Sequence, residues 1–238
     1  MKAISSAFKQ FFKSIWSDYM LAACLFAPVF MGAFFKFALP PLENYLCTYF
    51  KKSEILSAYY VLFDLMLALM TPLMLCFSGV MVVLEEIDDG TAKYLMVTPL
   101  RKVGYLISRI GLLTTLSIIY NIILIHFFSL SDMAFLLVIA NAVLNAIISI
   151  IIAMLVISFA KNKVEGMALI KLSGFMVLGF LAAFFIQDFK GYLVGILPSF
   201  WIGKMTLNEN ALFIIPAIIV SFLWIILLYR RFSRRIYQ

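Results

Sequence analysis

The segment at residues 85–102, EEIDDGTAKYLMVTPLRK, groups side chains that could bind another protein. Paired acids come first, and a Gly-Thr turn, a short apolar run, a proline and two basic residues follow, while the flanking sequence is strongly apolar. In a membrane protein, a compact charged segment of this kind is either a solvated connector or a docking surface for a soluble partner. The choice between these two interpretations largely decides the function of the chain.

A short helix is predicted in the middle of this segment. The carboxylate of Asp88 or Asp89 can cap a helix that begins near residue 90, because it accepts the free N–H groups of the first turn and complements the helix dipole. Pro99 disfavours a helical backbone at the residue before it and therefore ends the helix. The sequence thus predicts a helix over residues 91–97.

Three side chains of this helix are expected to be exposed. Tyr94, Leu95 and Met96 are apolar residues within an otherwise water-facing segment. Apolar side chains held at the surface on a rigid, capped helix indicate a contact surface. The other interpretation places the same side chains on the surface of the membrane.

Two ionisable residues within apolar segments are candidates for a substrate path. Asp64 lies about 12 Å from the outer end of its apolar run, at about 1.5 Å per residue, and ionisable groups inside a bilayer are functional candidates because they are costly. A structural ion pair with Lys36 is the first interpretation. The others are an outward-facing cavity in which Asp64 meets a cationic substrate, exposure of Asp64 to outer water, and a protonated Asp64.

The remaining polar groups favour structural roles. Glu165 is expected to form an inner-surface pair with Lys161 or Lys171, a contact worth little energy. A single histidine excludes a His-rich metal site, and no nucleophile has a base and an orienting group in register, so no catalytic residue or metal ligand is expected. The amides predicted to bridge helices are Asn121, Asn141 and Asn145.

The elements that carry these residues are predicted from composition and length. The chain has 238 residues, and 65% of them are hydrophobic, which is typical of a polytopic membrane protein rather than of a soluble domain. About 20 apolar residues cross a hydrocarbon core of about 30 Å. The sequence therefore predicts an all-α fold with a single membrane domain over residues 1–238. The six predicted spans are 19–39, 56–84, 106–128, 134–160, 168–187 and 211–229, with a first outer loop at 40–55.

The distribution of basic residues predicts the orientation. With both termini in the cytoplasm, the inner segments hold 14 of the 19 Lys and Arg residues. This is the positive-inside pattern of multi-pass proteins. The net charge of +7 is therefore explained by the membrane orientation and by contact with anionic lipid headgroups, and no nucleic-acid partner is expected.

Two further segments are predicted to lie at the membrane surfaces. Residues 1–17 place Phe8, Phe12 and Ile15 at helical spacing between basic residues, which indicates an interfacial helix on the cytoplasmic side. Residues 188–210 are apolar but are broken at Gly195 and Pro198, so we expect short half-helices that re-enter the outer leaflet. Simple anchoring through interfacial aromatic residues is the alternative for this outer segment.

The charged segment resembles the cytoplasmic-loop signature of ABC-2 type transporter permeases. The layout of an interfacial helix, six spans and a re-entrant segment between spans five and six is similar to that family over essentially the full length. Asp88 and Asp89 depart from the family pattern, which often has a mixed or basic residue there. The residues that carry the resemblance are Glu85, Glu86, Gly90, Thr91, Leu95, Pro99 and the basic residues that follow.

The resemblance implies a half-transporter whose ATPase is a separate subunit. The helix at 91–97 would be the coupling helix, and a second permease, identical or different, would complete the dimer. ATP and Mg²⁺ would be bound by the ATPase, and no cofactor by this chain, since its Gly203-Lys204 pair lacks the rest of a P-loop. The residues expected to couple to the ATPase are Glu85, Glu86, Gly90, Thr91, Tyr94, Leu95, Met96 and Pro99.

The function implied by the resemblance is export across the cytoplasmic membrane of a prokaryote. The substrate would be an amphipathic or hydrophobic compound, such as a drug, a peptide or a lipid. One alternative is an ATP-independent secondary transporter or channel, which would favour intramembrane charge chains or repeat symmetry. The other is a membrane assembly protein that uses the charged segment only for docking. Binding of an ATPase to the coupling helix distinguishes these readings.

Overall fold

The structure, a computed structural model, describes residues 2–97, 101–186 and 188–237. Its described residues are almost entirely helical and include no strand, which confirms the predicted all-α class. Six of the helical stretches are long and apolar enough to cross a membrane, as predicted. They are Tyr19–Phe50, Ser57–Asp88, Gly104–Phe128, Phe135–Phe159, Lys163–Phe185 and Ala211–Ile236.

The chain begins with two helices joined at Asp18. Helix α1 spans Lys2–Ser17 and buries Phe11 and Ile15 against the bundle, as its amphipathic pattern predicts. Helix α2 spans Tyr19–Phe50, and the Asp18 carboxylate caps it by accepting the N–H groups of its first turn, the nearest at 3.0 Å.

The prediction of an outer loop over residues 40–55 is wrong for its first part. Helix α2 continues through Pro40 and Pro41 as far as Phe50. The cause is Glu43, whose buried carboxylate accepts the N–H groups of Ile55 at 2.8 Å and Leu56 at 2.6 Å. These bonds tie the returning chain to the helical extension. A proline pair alone therefore does not end this helix, although each proline removes one N–H donor.

Two helices form the centre of the bundle. Helix α3 spans Tyr60–Asp88 and follows a 3-10 turn, and helix α7 spans Phe135–Phe159. In the apolar stretches of these two spans 83% and 72% of the residues are buried, against 28% or less in the other four. The outer ring consists of α2, α6 (Leu112–Phe128), α9 (Phe175–Phe185) and α11 (Ile214–Tyr237).

Short elements connect these spans at the two ends of the bundle. At one end lie α4 (Thr91–Val97), α5 (Arg101–Leu106) with a π-helical turn after it, and α8 (Lys163–Leu169). At the other end a 3-10 helix, Phe189–Ile196, and α10, Pro198–Leu207, occupy the predicted half-helix segment. Helix α10 packs closely on α9, because a Cβ at Gly179 would lie 2.1 Å from the Ser199 hydroxyl.

Buried amides join helices at two of the three predicted positions. Asn121 donates from Nδ2 to the carbonyl of Ala68 at 2.7 Å, which joins α6 to α3. Asn141 donates to the Thr206 hydroxyl at 3.0 Å, which joins α7 to α10. Asn145 does not bridge, because its Nδ2 donates to a carbonyl one turn earlier in its own helix.

Candidate functional site

The predicted coupling helix is present as α4, with the bounds Thr91–Val97 that the sequence indicates. Helix α3 ends immediately before it, and Gly90 takes a left-handed backbone with φ of 72°. No described residue lies within 4 Å of a Cβ built at Gly90, so backbone strain rather than space favours glycine here. The Thr91 hydroxyl donates to the carbonyl of Glu86 at 3.1 Å and fixes the turn. Pro99, the predicted stop, lies outside the described residues.

A buried ion pair anchors this turn to the bundle. Arg109 is 1% exposed, and its guanidinium donates to both carboxylate oxygens of Glu86, from Nε at 3.1 Å. The Tyr105 hydroxyl donates to the same carboxylate at 2.8 Å. The guanidinium also lies 4.8 Å from the centre of the Phe11 ring, within cation–π distance. Helices α1 and α3 and the start of the third span therefore meet at one charged centre.

Sequence reasoning identified Glu86 but missed Arg109 and Tyr105. The available signal was the position of Arg109, since this arginine lies inside an apolar run predicted to cross the membrane. An ionisable residue placed there requires a partner. The acids that precede it most closely in sequence belong to the charged segment at residues 85–102.

A second charged contact holds the neighbouring helices. Lys163 Nζ lies 2.7 Å from the Glu85 carboxylate and 3.5 Å from that of Asp18, so it links α8 to α3 and to the start of α2. The Asp88 carboxylate accepts the backbone N–H of Lys163 at 2.9 Å. Of the two acids that the sequence offers as caps for α4, Asp88 or Asp89, Asp88 therefore binds the start of α8 instead, because the chain folds back and brings this second helix start beside it.

The exposed face of α4 is narrower than predicted. Tyr94 is 75% exposed and Val97 is 84% exposed. Leu95 and Met96 are half-buried instead, because they pack with Ala92 on the fully buried ring of Tyr105. The prediction is thus confirmed for Tyr94 and wrong for the other two side chains. Their packing fixes α4 on the bundle.

Two cavities flank α4. One, of about 400 Å³, lies towards α1 and has an acidic rim formed by Glu85, Glu86 and Asp89, with Tyr94 at its edge. The other, of about 300 Å³, lies towards α11 and contains Lys93. Helix α4 therefore stands between an acidic and a basic recess.

The predicted ion pair between Asp64 and Lys36 is wrong. Asp64 is fully buried, and its carboxylate accepts the N–H groups of Leu130 and Ser131, both at 2.9 Å, and the Ser131 hydroxyl. Lys36 donates from Nζ to the carbonyl of Phe127 at 2.6 Å. Both side chains fasten the turn between α6 and α7, but they do not contact each other. Short turns leave N–H groups unpaired, and a buried carboxylate is a strong acceptor for them.

The expected pair of Glu165 with Lys161 or Lys171 is also wrong as a side-chain ion pair. The Glu165 carboxylate accepts the backbone N–H of Lys161 at 2.8 Å, and Asn162 in turn accepts the N–H of Glu165 at 2.9 Å. Asn162 is thus the N-cap of α8, and Glu165 reaches back to the N–H of the residue before that cap. Lys171 is exposed and lies elsewhere, at a cavity described next.

A cavity of about 560 Å³ lies between α2, α3 and the 3-10 helix Ile170–Gly174. Its volume lies within the range of about 300–1,000 Å³ that is usual for small-molecule sites. Methionine side chains are flexible and polarisable and suit surfaces that accept varied ligands. Sequence reasoning did not find this cavity, because its lining comes from three separate segments. The lining includes Met20, Met70, Met74, Met167, Phe77 and Lys171.

Comparison with known proteins gives one family. The sequence model of the Rv2686c-like family, described as a fluoroquinolones export permease protein, matches residues 11–230. That range contains all six apolar helices except the last residues of the sixth. No curated protein and no solved structure matches the chain.

Proposed function

The chain belongs to this family of export permeases, which are ABC-2 type permeases, and on that premise we propose that it is the membrane subunit of an ATP-driven exporter. A separate cytoplasmic ABC ATPase binds α4 and supplies the energy. ATP and Mg²⁺ are held by that subunit. The chain is a multi-pass membrane protein, and the excess of basic residues in the inner segments supports a prokaryotic cytoplasmic membrane with both termini inside.

The observation that carries this proposal is the construction of α4. Tyr94 and Val97 stand exposed on a helix whose opposite face is packed on Tyr105. The helix follows directly on α3, and Glu86 at that junction is locked to Arg109. A surface helix with exposed apolar side chains and a rigid mount is suited to receive force from a partner. An exposed aromatic residue is also the type that dominates interface energies.

A second permease, identical or different, completes the transporter in this proposal. Alternating access requires two bodies that rock against each other around a shared path. The support for this second subunit is the resemblance to ABC-2 permeases, a family whose members work as pairs.

The substrate proposed is an amphipathic aromatic compound of the fluoroquinolone kind. The description of the family names fluoroquinolones, which carry a planar ring system and a carboxylate. The cavity between α2 and α3 offers methionine and phenylalanine side chains for the rings and Lys171 for the carboxylate. Asp64 and Lys36 were the substrate-path candidates from sequence, and their engagement at the outer turn favours the methionine-lined cavity instead.

Co-purification with the ATPase tests the proposal. The amount of ATPase that co-purifies with the variant Tyr94→Ala/Val97→Ala should be lower than with the wild type by a factor of about ten or more. The reason is that loss of an anchor side chain at an interface costs about 2 kcal/mol or more of binding free energy. The matched control is Phe189→Ala/Leu193→Ala, which removes two equally exposed apolar side chains at the other end of the bundle. Equal retention by both variants contradicts docking on α4. An ATPase that never associates with the wild type favours an ATP-independent transporter.

A further inference from the structure

The basic recess beside α4 has the composition of an anion site. It encloses about 300 Å³ between α4 and the C-terminal part of α11. Ala92 and Ile236 are almost fully buried and provide an apolar floor. Lys93 from α4 and Arg235 from α11 both line the recess and bring positive charge to it. The two helices contribute one cation each, so a single anion could bridge them.

The hydrogen-bonding capacity of Arg235 is only partly used. One terminal nitrogen donates to the carbonyl of Lys161 at 2.7 Å. The Nε atom is buried and has no hydrogen-bond partner among the residues that the structure describes. A buried N–H without a partner is costly, and a guanidinium presents its N–H groups in a fork that fits two oxygens of one phosphate. The free Nε therefore indicates a ligand that supplies an oxygen.

The carboxylates near the recess accept hydrogen bonds from backbone groups and do not pair with its two cations. Asp88 accepts the backbone N–H of Lys163, and Glu165 accepts that of Lys161. Within residues 2–97, 101–186 and 188–237, no carboxylate lies within ion-pair distance of Lys93 or Arg235. The recess thus contains two cations whose counter-charge must come from outside these parts of the chain.

We propose that this recess binds the phosphate of an anionic phospholipid. It lies where the last apolar span ends, and basic pockets between spans on the cytoplasmic side are known to take such headgroups. The apolar floor suits the glycerol backbone and the start of the acyl chains. A headgroup held there joins α4 to α11 and stiffens the mount of the coupling helix. The binding itself does not depend on the ATPase or on transport.

Matched charge variants in lipid nanodiscs test the proposal. The recess variant is Lys93→Gln/Arg235→Gln, and the control is Arg230→Gln/Arg234→Gln, which removes two charges from exposed positions of the same helix. Native mass spectrometry counts retained phosphatidylglycerol, and Tm is compared in phosphatidylglycerol and phosphatidylcholine. We expect wild type and control to retain a lipid and to gain Tm in phosphatidylglycerol. The recess variant should bind about tenfold more weakly, since it loses charge-assisted hydrogen bonds.

Each other outcome overturns a part of the proposal. Equal loss in both double variants means that surface charge alone attracts the lipid. If inorganic phosphate, added in phosphatidylcholine, raises Tm as much as phosphatidylglycerol does, then free phosphate is the ligand. A recess variant that keeps its lipid but loses the ATPase assigns the recess to the partner protein.

The variant Arg235→Lys should bind the lipid with intermediate strength. An unchanged Tm in phosphatidylcholine verifies that each variant folds.

Discussion

The buried guanidinium of Arg109 forms an ion pair with the carboxylate of Glu86. Breaking a buried pair leaves an uncompensated charge, and the usual cost is about 3–5 kcal/mol. We expect Arg109→Met to lower the unfolding free energy in detergent by about that amount, because the Glu86 carboxylate then keeps, within the described part of the chain, only the Tyr105 hydroxyl as a side-chain donor. Chemical denaturation followed by circular dichroism measures the loss.

The paired variant Glu86→Met/Arg109→Met separates charge from packing. It removes both partners, so most of the stability should return. A double variant as unstable as the single one would mean that the pair matters through shape rather than charge.

Asp64 is expected to act as a structural residue. The Asp64 carboxylate accepts hydrogen bonds from three donors, and the change Asp64→Asn replaces one of its oxygens with an NH2 group that cannot accept. About 1–3 kcal/mol of stability should therefore be lost. Substrate preference should not change. The control is Asp132→Asn, an exposed acid in the same turn. A shift in preference between cationic and neutral substrates, with stability intact, would return Asp64 to the substrate path.

The charged segment shows how far single residues can be interpreted from sequence. The spacing of Gly90 and Thr91 predicts the helix start correctly, because backbone conformation is a local property. The partners of Glu86, Asp64 and Lys36 were missed or misassigned, because each lies on a segment distant in sequence. Hydrogen bonds to backbone groups, as at Asp64, leave no trace in residue types.

Helix α3 contains a proline in its buried middle, and a neighbouring helix compensates for it. Pro72 has no N–H to donate to Ala68, four residues earlier, and Asn121 from α6 donates to that carbonyl instead. We expect Asn121→Leu to cost about 1–3 kcal/mol, the usual cost of an unpaired buried acceptor. In a Pro72→Ala background the helix supplies its own donor, so the same change should cost much less.

A double-mutant cycle on detergent unfolding measures this coupling. The four proteins are the wild type, both single variants and Pro72→Ala/Asn121→Leu. Additive losses would show that Asn121 does not compensate for the proline.

Element existence was more predictable than element ends. Hydropathy and length predict six spans because the bilayer requires about 20 apolar residues for each. The extension of α2 beyond Pro41 was not predictable, since it rests on Glu43 and on amides of the returning chain. The π-helical turn before α6 also has no signal in the apolar pattern, although Arg109, which lies in it, is the residue that binds Glu86.

At the scale of the molecule, α3 connects three features that are distant in sequence. Its N-terminal part, through Asp64, holds the turn between α6 and α7, and its middle part lines the methionine-rich cavity. Its C-terminal end passes directly into Gly90 and α4. A force applied to α4 therefore reaches the cavity along a single buried helix. In the function we propose, this continuity is the physical route from the ATPase to the substrate.

Charge at the mouth of that cavity should set a preference for acidic substrates. Lys171 is exposed, so its contribution is that of a surface pair, at most about 1 kcal/mol, or up to about fivefold in affinity. In vesicles with the ATPase, Lys171→Gln should raise KM for a fluoroquinolone by up to that factor. KM for the methyl ester of the same compound should not change, because the ester has no carboxylate.

The control for this experiment is Lys161→Gln, which removes an exposed inner charge that is not part of the cavity lining. The variant Lys171→Arg should restore most of the affinity for the acid. If both lysine variants raise KM equally for the acid and leave the ester unchanged, the effect is one of surface potential and Lys171 does not contact substrate. The remaining outcome is that neither lysine variant changes KM for the acid, while Met74→Ala raises KM for acid and ester alike. The cavity then binds the ring system and the carboxylate stays in water, because apolar burial accounts for the whole affinity.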